Sequence, residues 1–178
     1  MDISATSVKE LRDKTGAGVM ECKRALQDAG GSMDKAVELL RQKGLSKHSK
    51  VAGRDVNQGI IESYIHTGGR IGALVEINCE TDFVARTDEF RTLAREVAMQ
   101  VASMDPKMVG TMEGEENGAD ALLNQEYIRD SRRTIRDLIK ETIGKVGENI
   151  QITRFTRFEV GTDTPAATND GTEDGNQE

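Results

Sequence analysis

Cys79-Glu80-Thr81-Asp82-Phe83-Val84-Ala85-Arg86 is the stretch from which the rest of the chain is best read. Immediately before it, Ile71-Gly72-Ala73-Leu74-Val75-Glu76-Ile77 is an apolar run rich in β-branched residues, the pattern of a buried strand. Immediately after it, Thr87-Asp88-Glu89-Phe90 joins a capping hydroxyl to acidic first-turn residues and predicts the opening of a long amphipathic helix. Thr81 to Arg86 therefore occupies a strand-to-helix junction, near the surface on a rigid base, where functional tips commonly sit. Phe83 stands out there, because aromatic residues make up only 3% of the chain and this one follows a carboxylate. Two readings are open at this point. Either Phe83 folds back into the core while Asp82 caps the helix, or the ring is displayed as a contact.

Working outward, Ile60 to His66 alternates as a strand, and Thr67-Gly68-Gly69-Arg70 is its hairpin turn into the strand that ends at Cys79. The helix from Asp88 to Met104 carries Phe90, Leu93, Ala94, Val97, Ala98 and Val101 on one stripe, and Asp105-Pro106 stops it. Residues 110–118 include Glu113-Gly114-Glu115-Glu116-Asn117 and read as a mobile acidic loop. A charged helix is expected over 121–143, with Leu122, Ile128, Ile135, Leu138, Ile139 and Ile143 inward. A last strand runs from Ile150 to Val160. Strict alternation puts Ile150, Ile152, Arg154, Thr156 and Phe158 on one side, and Thr153, Phe155 and Arg157 on the other.

Before the sheet the period is helical. Ser4 and Ser7 are candidate caps for a first helix bearing Val8 and Leu11, which Thr15-Gly16-Ala17-Gly18 breaks. A second helix over 19–29 aligns Cys22, Ala25, Leu26 and Ala29, and Ser32 caps a third that Gly44 is expected to close. The reading is thus an α+β chain. A three-helix bundle spans 1–45, a basic linker 46–58, a three-stranded antiparallel sheet with its helices 59–161, and an acidic tail 162–178. The tail has no large apolar residue and cannot offset its ordering entropy, so disorder is expected.

A length of 178 residues suits one or two compact domains. Net charge is −7, from 31 acidic and 24 basic residues, which argues against a general nucleic-acid binder that must neutralise phosphates. Cys22 and Cys79 form neither a disulfide framework nor a zinc spacing, so reduced thiols in a cytoplasmic protein are expected. The start lacks the features of a signal peptide, and no run is long enough to span a bilayer, so no membrane contact is expected.

No catalytic constellation converges. His48 and His66 are the two histidines, one in the basic linker and one at a strand end. Cys79 ends an apolar strand, where inert buried thiols are the common case. The glycine pair at Gly16 and Gly18 lacks the lysine and hydroxyl of a phosphate loop. The chain is accordingly read as a non-enzyme without metal or cofactor. Arg154 and Arg157 beside Phe155 and Phe158 leave an RNA-binding adaptor as one alternative, and the small helical bundle leaves a ubiquitin-type adaptor as another.

Thr81-Asp82-Phe83-Val84-Ala85 resembles the signature of the elongation factor Ts family, the nucleotide-exchange factors of elongation factor Tu. Two further segments are similar to the same family and lie in its order. One is Val8-Lys9-Glu10-Leu11-Arg12 continuing through Thr15 to Leu26, and the other is Gly147-Glu148-Asn149-Ile150. The resemblance implies a ubiquitin-associated-like fold for the first helices and guanine-nucleotide exchange for the whole. In that reading Asp82 and Phe83, flanked by Thr81 and Val84, form a wedge beside the partner's magnesium site. Arg12, Val19 and Met20 contact the partner from the helical bundle, with Val19 standing where relatives commonly carry methionine. Val146 and Gly147 match another contact region, and His66 resembles a contact in the second half of longer relatives. The chain resembles the short form of the family, with one set of three strands. A homodimer through the sheet is therefore expected, alongside GDP-bound and nucleotide-free elongation factor Tu as partner.

Overall fold

Local signals place the first three helices. The structure, a computed structural model, describes residues 3–112 and 118–162. The mobile loop expected at 110–118 and the disordered tail expected at 162–178 lie, but for residues 110–112, 118 and 162, outside the described residues. Helix α1, Ala5–Thr15, starts at Ser4, whose side chain accepts a hydrogen bond from the Ser7 amide, and ends at Gly16 in the left-handed region. Helix α2 is Val19–Asp28 and helix α3 is Met33–Val51. Val8, Leu11, Cys22, Ala25, Leu26 and Ala36 form a small core of their own between them.

The third helix departs from expectation. Gly44 does not close it; α3 continues to Val51, which is buried in the second and larger core. A glycine inside a helix weakens it by only about 1 kcal/mol relative to alanine, and burial at the far end outweighs that.

Strands β1, Gln58–Ile65, and β2, Ile71–Cys79, form the expected hairpin. Strand β5, Ile150–Glu159, pairs antiparallel with β2, giving the sheet order β1-β2-β5. The fold is α+β, as the change of period predicts. Helix α4, Asp82–Ala85, is a single turn, and α5, Asp88–Met104, lies across one face of the sheet. Val75, Ile77, Phe90, Val97 and Val101 are fully buried between them.

Two expectations fail for tertiary reasons. The segment expected as one helix over 121–143 is a short 3-10 turn, Leu122–Asn124, then a hairpin of β3, Glu126–Tyr127, and β4, Asp130–Thr134. Helix α6 occupies only Ile135–Val146. Its start is set by a capping box: the Thr134 hydroxyl accepts from the Asp137 amide, and the Asp137 carboxylate accepts from the Thr134 amide. The hairpin is held by Gln100, buried within α5. Its amide group donates to Gln125 Oε1 and to the Glu126 carbonyl, and its oxygen accepts from the Ile128 amide. Ile128, expected inward, is therefore exposed.

The alternation of β5 also breaks. Ile77 pairs with Ile152 but Glu76 pairs with Arg154, which leaves Thr153 unmatched as a bulge. One extra residue flips the faces beyond it. Ile150, Ile152, Phe155 and Arg157 therefore share the covered face, and Phe158 lies on the other with Arg154. That second face carries Ile61, Ile65, Leu74 and Phe158, all exposed, with no helix over it among the described residues. Ile65 lies across Gly72, where an added Cβ would sit 2.7 Å from its Cδ1.

Candidate functional site

The junction at Thr81 is a one-turn helix held from beneath. Thr81 caps α4, its hydroxyl accepting weakly from the Val84 amide at 3.4 Å. Val84 and Ala85 are buried, and with them facing inward the turn projects Phe83 outward. Phe83 is 79% exposed, the most exposed large apolar side chain among the described residues. The open question about this ring is answered: it does not fold into the core, and the capping falls to Thr81 rather than Asp82. Asp82 pairs with Arg86 at 2.8 Å on the surface, an exposed pair of small energetic weight.

The base of the tip is polar and fully connected. The Cys79 thiol donates to the Thr81 carbonyl at 3.1 Å, and burial pushes that thiol up to about 11. The Thr87 hydroxyl donates to the Val84 carbonyl at 2.8 Å and accepts from the Phe90 amide, ending one helix while starting the next. From across the chain, Glu148 accepts from the Thr81 amide at 3.0 Å and from its hydroxyl at 2.7 Å. Glu80 in turn accepts from the Asn149 amide at 2.7 Å. The Asn149 side chain donates to the Arg54 carbonyl at 2.9 Å, and the Arg54 guanidinium stands 3.4 Å from Glu80.

This places Gly147 beside the tip. Gly147 ends α6 in the left-handed region at φ 78° and is exposed, while Val146 is packed against the main core. The α1–α2 turn lies against the same end of α6, where an added Cβ at Gly16 would be 3.4 Å from Lys145 Cδ. A mixed-charge cleft of about 440 Å³ lies between the bundle and the α6 side of the core, lined among others by Thr15, Ala17, Arg41, Arg133 and Lys145. Arg12 is exposed at the end of α1, and Val19 and Met20 are exposed at the start of α2, at 51% and 60%. His66 is elsewhere. It sits at the hairpin end of β1, its Nδ1 3.1 Å from the Tyr64 hydroxyl, with the length of β2 between it and the tip. At about 3.3 Å per residue that is roughly 25 Å.

The structure thus gathers Thr81, Asp82, Phe83 and Val84 with the turn after Val146 and Gly147. It sets Arg12, Val19 and Met20 on the adjoining bundle, and it separates His66. Sequence reasoning passed over Glu80, Asn149, Arg54 and, as a tip contact, Glu148. The available signal was a carboxylate beside the end of a strand in both segments, in Cys79-Glu80-Thr81 and Gly147-Glu148-Asn149.

Comparison with known proteins bears on this geometry. The family profile described as elongation factor TS matches residues 5–118 and 80–167. Elongation factor Ts of Thermoanaerobacter sp. (strain X514) is 46% identical over 203 aligned positions, covering 94% of this chain and all of the relative. Elongation factor Ts of Rippkaea orientalis is 48% identical over 90% of this chain and 79% of its own length. That of Fervidobacterium nodosum is 43% identical over 90% of this chain and all of its own. Identity at this level over nearly the whole chain, with the tip motif inside the matched region, makes the chain a member of the elongation factor Ts family of translation elongation factors.

Proposed function

We propose that this protein is a guanine-nucleotide exchange factor that binds GDP-bound elongation factor Tu and promotes release of GDP. The observation that carries the reading is Phe83, an apolar ring held 79% exposed on a clamped single turn. A large apolar group at a tip gains free energy only when a partner covers it. In the partner, a magnesium ion screens the diphosphate and organises the loops around it. Phe83 inserts among those loops with Asp82, Thr81 and Val84 beside it, and disturbs that coordination without any covalent step. Arg12, Val19 and Met20 hold the partner from the bundle, Val146 and Gly147 contact it next to the tip, and His66 belongs to a separate contact at the far end of the sheet.

Coupling of this kind is reciprocal. If the factor weakens GDP binding, GDP weakens binding of the factor by the same ratio, so the nucleotide-free complex is the tight one and incoming nucleotide dissolves it. The site is one of recognition, not of catalysis, and needs no metal or cofactor of its own. The protein works in the cytoplasm; among the described residues no helix is long and apolar enough to cross a membrane. The bundle of 1–45 acts as a partner-binding domain, with 46–58 joining it to a core of 59–161.

The active form is a homodimer joined through the open face of the sheet. Ile61, Ile65, Leu74 and Phe158 are between 44% and 69% exposed there, and a two-fold axis brings equivalent patches together. Sedimentation at micromolar concentration checks this: a monomer that exchanges nucleotide normally overturns it.

The deciding experiment for the function is release of labelled GDP from elongation factor Tu. Catalytic amounts of the protein are expected to accelerate it, and an unchanged rate overturns the reading.

A further inference from the structure

A single helical turn cannot hold itself in water, because nucleation fixes several residues for one hydrogen bond. Something else must keep α4 formed while its most apolar side chain faces solvent. Val84 and Ala85 anchor it below, and Cys79 and Thr87, which flank it in sequence, bind the Thr81 and Val84 carbonyls. One anchor comes from a distant part of the sequence. Glu148 takes both donors of Thr81, the amide at 3.0 Å on one carboxylate oxygen and the hydroxyl at 2.7 Å on the other. With its proton committed to Glu148, the Thr81 hydroxyl keeps a lone pair directed at the Val84 amide, which is the cap of the turn. The orientation of the cap is thus set by a carboxylate outside it.

The contact is reciprocated one residue away on each side. Glu80 accepts from the Asn149 amide at 2.7 Å while Glu148 accepts from the Thr81 amide. Two carboxylates lace the strand end at 80–81 to the turn at 148–149, each gripping the other segment's backbone. Such charge-assisted bonds are stronger than neutral ones.

We propose that Glu148 is a positioning residue for the Phe83 tip: its two-point grip on Thr81, reinforced by the Glu80–Asn149 bond, holds α4 wound and joins the tip to the Gly147 turn as one rigid unit. The proposal rests on the exchange reading given above and adds what makes the wedge stiff. A soft tip would still dock, but would transmit less of its binding to the partner's loops.

The test is steady-state GDP exchange on elongation factor Tu by the full-length chain, wild type against Glu148→Ala, Glu148→Gln, Phe83→Ala and the double variant Phe83→Ala/Glu148→Ala. Melting temperature and hydrogen exchange at the Thr81 amide are recorded for each. Glu148→Ala is expected to lower the maximal rate by about tenfold, the worth of a hydrogen bond to a charged group, with the half-saturating partner concentration unchanged. Glu148→Gln keeps the chain length and an acceptor for the Thr81 amide, and recovers part of the rate. In the Phe83→Ala background the loss of Glu148 adds less than about twofold, because both changes act through one device. Full activity of Glu148→Ala overturns the proposal, as do losses that multiply in the double variant or a raised half-saturation with the maximal rate intact. If Glu148→Ala is unfolded at the assay temperature, Glu148→Gln carries the same comparison. If the wild type itself fails to exchange nucleotide, the functional reading has failed, and the Thr81 amide then decides positioning alone. Faster exchange of that amide in Glu148→Ala upholds the clamp, and unchanged protection overturns it.

Discussion

Phe83 and Phe90 are the same residue on consecutive helices, and they meet opposite fates. Phe90 is fully buried near the start of α5, whereas Phe83 is 79% exposed on α4. Both helices open with a threonine whose hydroxyl accepts a backbone amide three residues on, Thr81 for Val84 and Thr87 for Phe90. The caps are thus alike, and the difference lies in length and anchorage. Helix α5 runs 17 residues and turns a continuous apolar stripe onto the sheet, so Phe90 is carried inward with Leu93, Ala94 and Val97. Helix α4 has four residues, and its inward places are taken by Val84 and Ala85. An aromatic ring is therefore not assigned to core or surface by its own hydrophobicity. The neighbours that reach the core first decide where it points.

The comparison can be broken most readily at Phe90. Phe90→Ala is expected to lower stability by about 3–5 kcal/mol, the usual effect of removing a buried phenyl ring. Denaturant unfolding measures it, and a loss under about 1 kcal/mol would mean that the site is not the packed core it looks to be. Next in size, Thr87→Ala should destabilise by about 1 kcal/mol through loss of the cap, with the bond to the Val84 carbonyl lost as well. Phe83→Ala should leave stability within about 0.5 kcal/mol of the parent, as surface substitutions do, while GDP release by elongation factor Tu slows. A clear fall in melting temperature, or normal exchange by the folded variant, would erase the contrast between the two rings.

The smallest effect expected near neutrality is that of pH at the base of the tip. Burial, with Glu148 nearby, raises the Cys79 thiol from 9.0 to about 11. A thiol raised on folding favours the protonated state, so its contribution is complete below 9.0 and is lost as pH rises toward about 11. Melting temperature should therefore show no thiol-dependent change between about pH 6 and 8, and native Cys79 should resist alkylation there. Rapid labelling of folded protein at neutral pH would show that the floor of the tip opens.

How far the tip was legible follows from the range of the interactions involved. The strand to Cys79, the turn at Thr81 and the restart at Thr87 rest on alternation and on hydroxyls that act three residues away, so they can be read within a short window. Glu148 cannot, since its partners lie 67 residues earlier in the chain. The hairpin of β3 and β4 was misread as helix for a similar reason. Its charged and aliphatic residues suit a helix locally, but Gln100, on another element, captures the backbone at Glu126 and Ile128. A buried side-chain amide satisfied by Gln125 and by the hairpin backbone outweighs propensities of a few tenths of a kcal/mol per residue.

What the sequence determined by itself was the order of elements outside 121–134, the α+β class, the strand-to-helix junction and the family to which its motifs point, because these depend on periodicity, capping and short contiguous strings. Tertiary structure alone decided that Phe83 faces outward and that Thr153 bulges to turn Phe158 onto the open face. It also carried α3 past Gly44 to Val51, and laced Glu80 and Glu148 across the base of the tip. The physical reason is common to all four. Each is settled by burial or by a hydrogen bond between groups far apart in the chain, and such partners acquire a distance only once the sheet and its helices have packed.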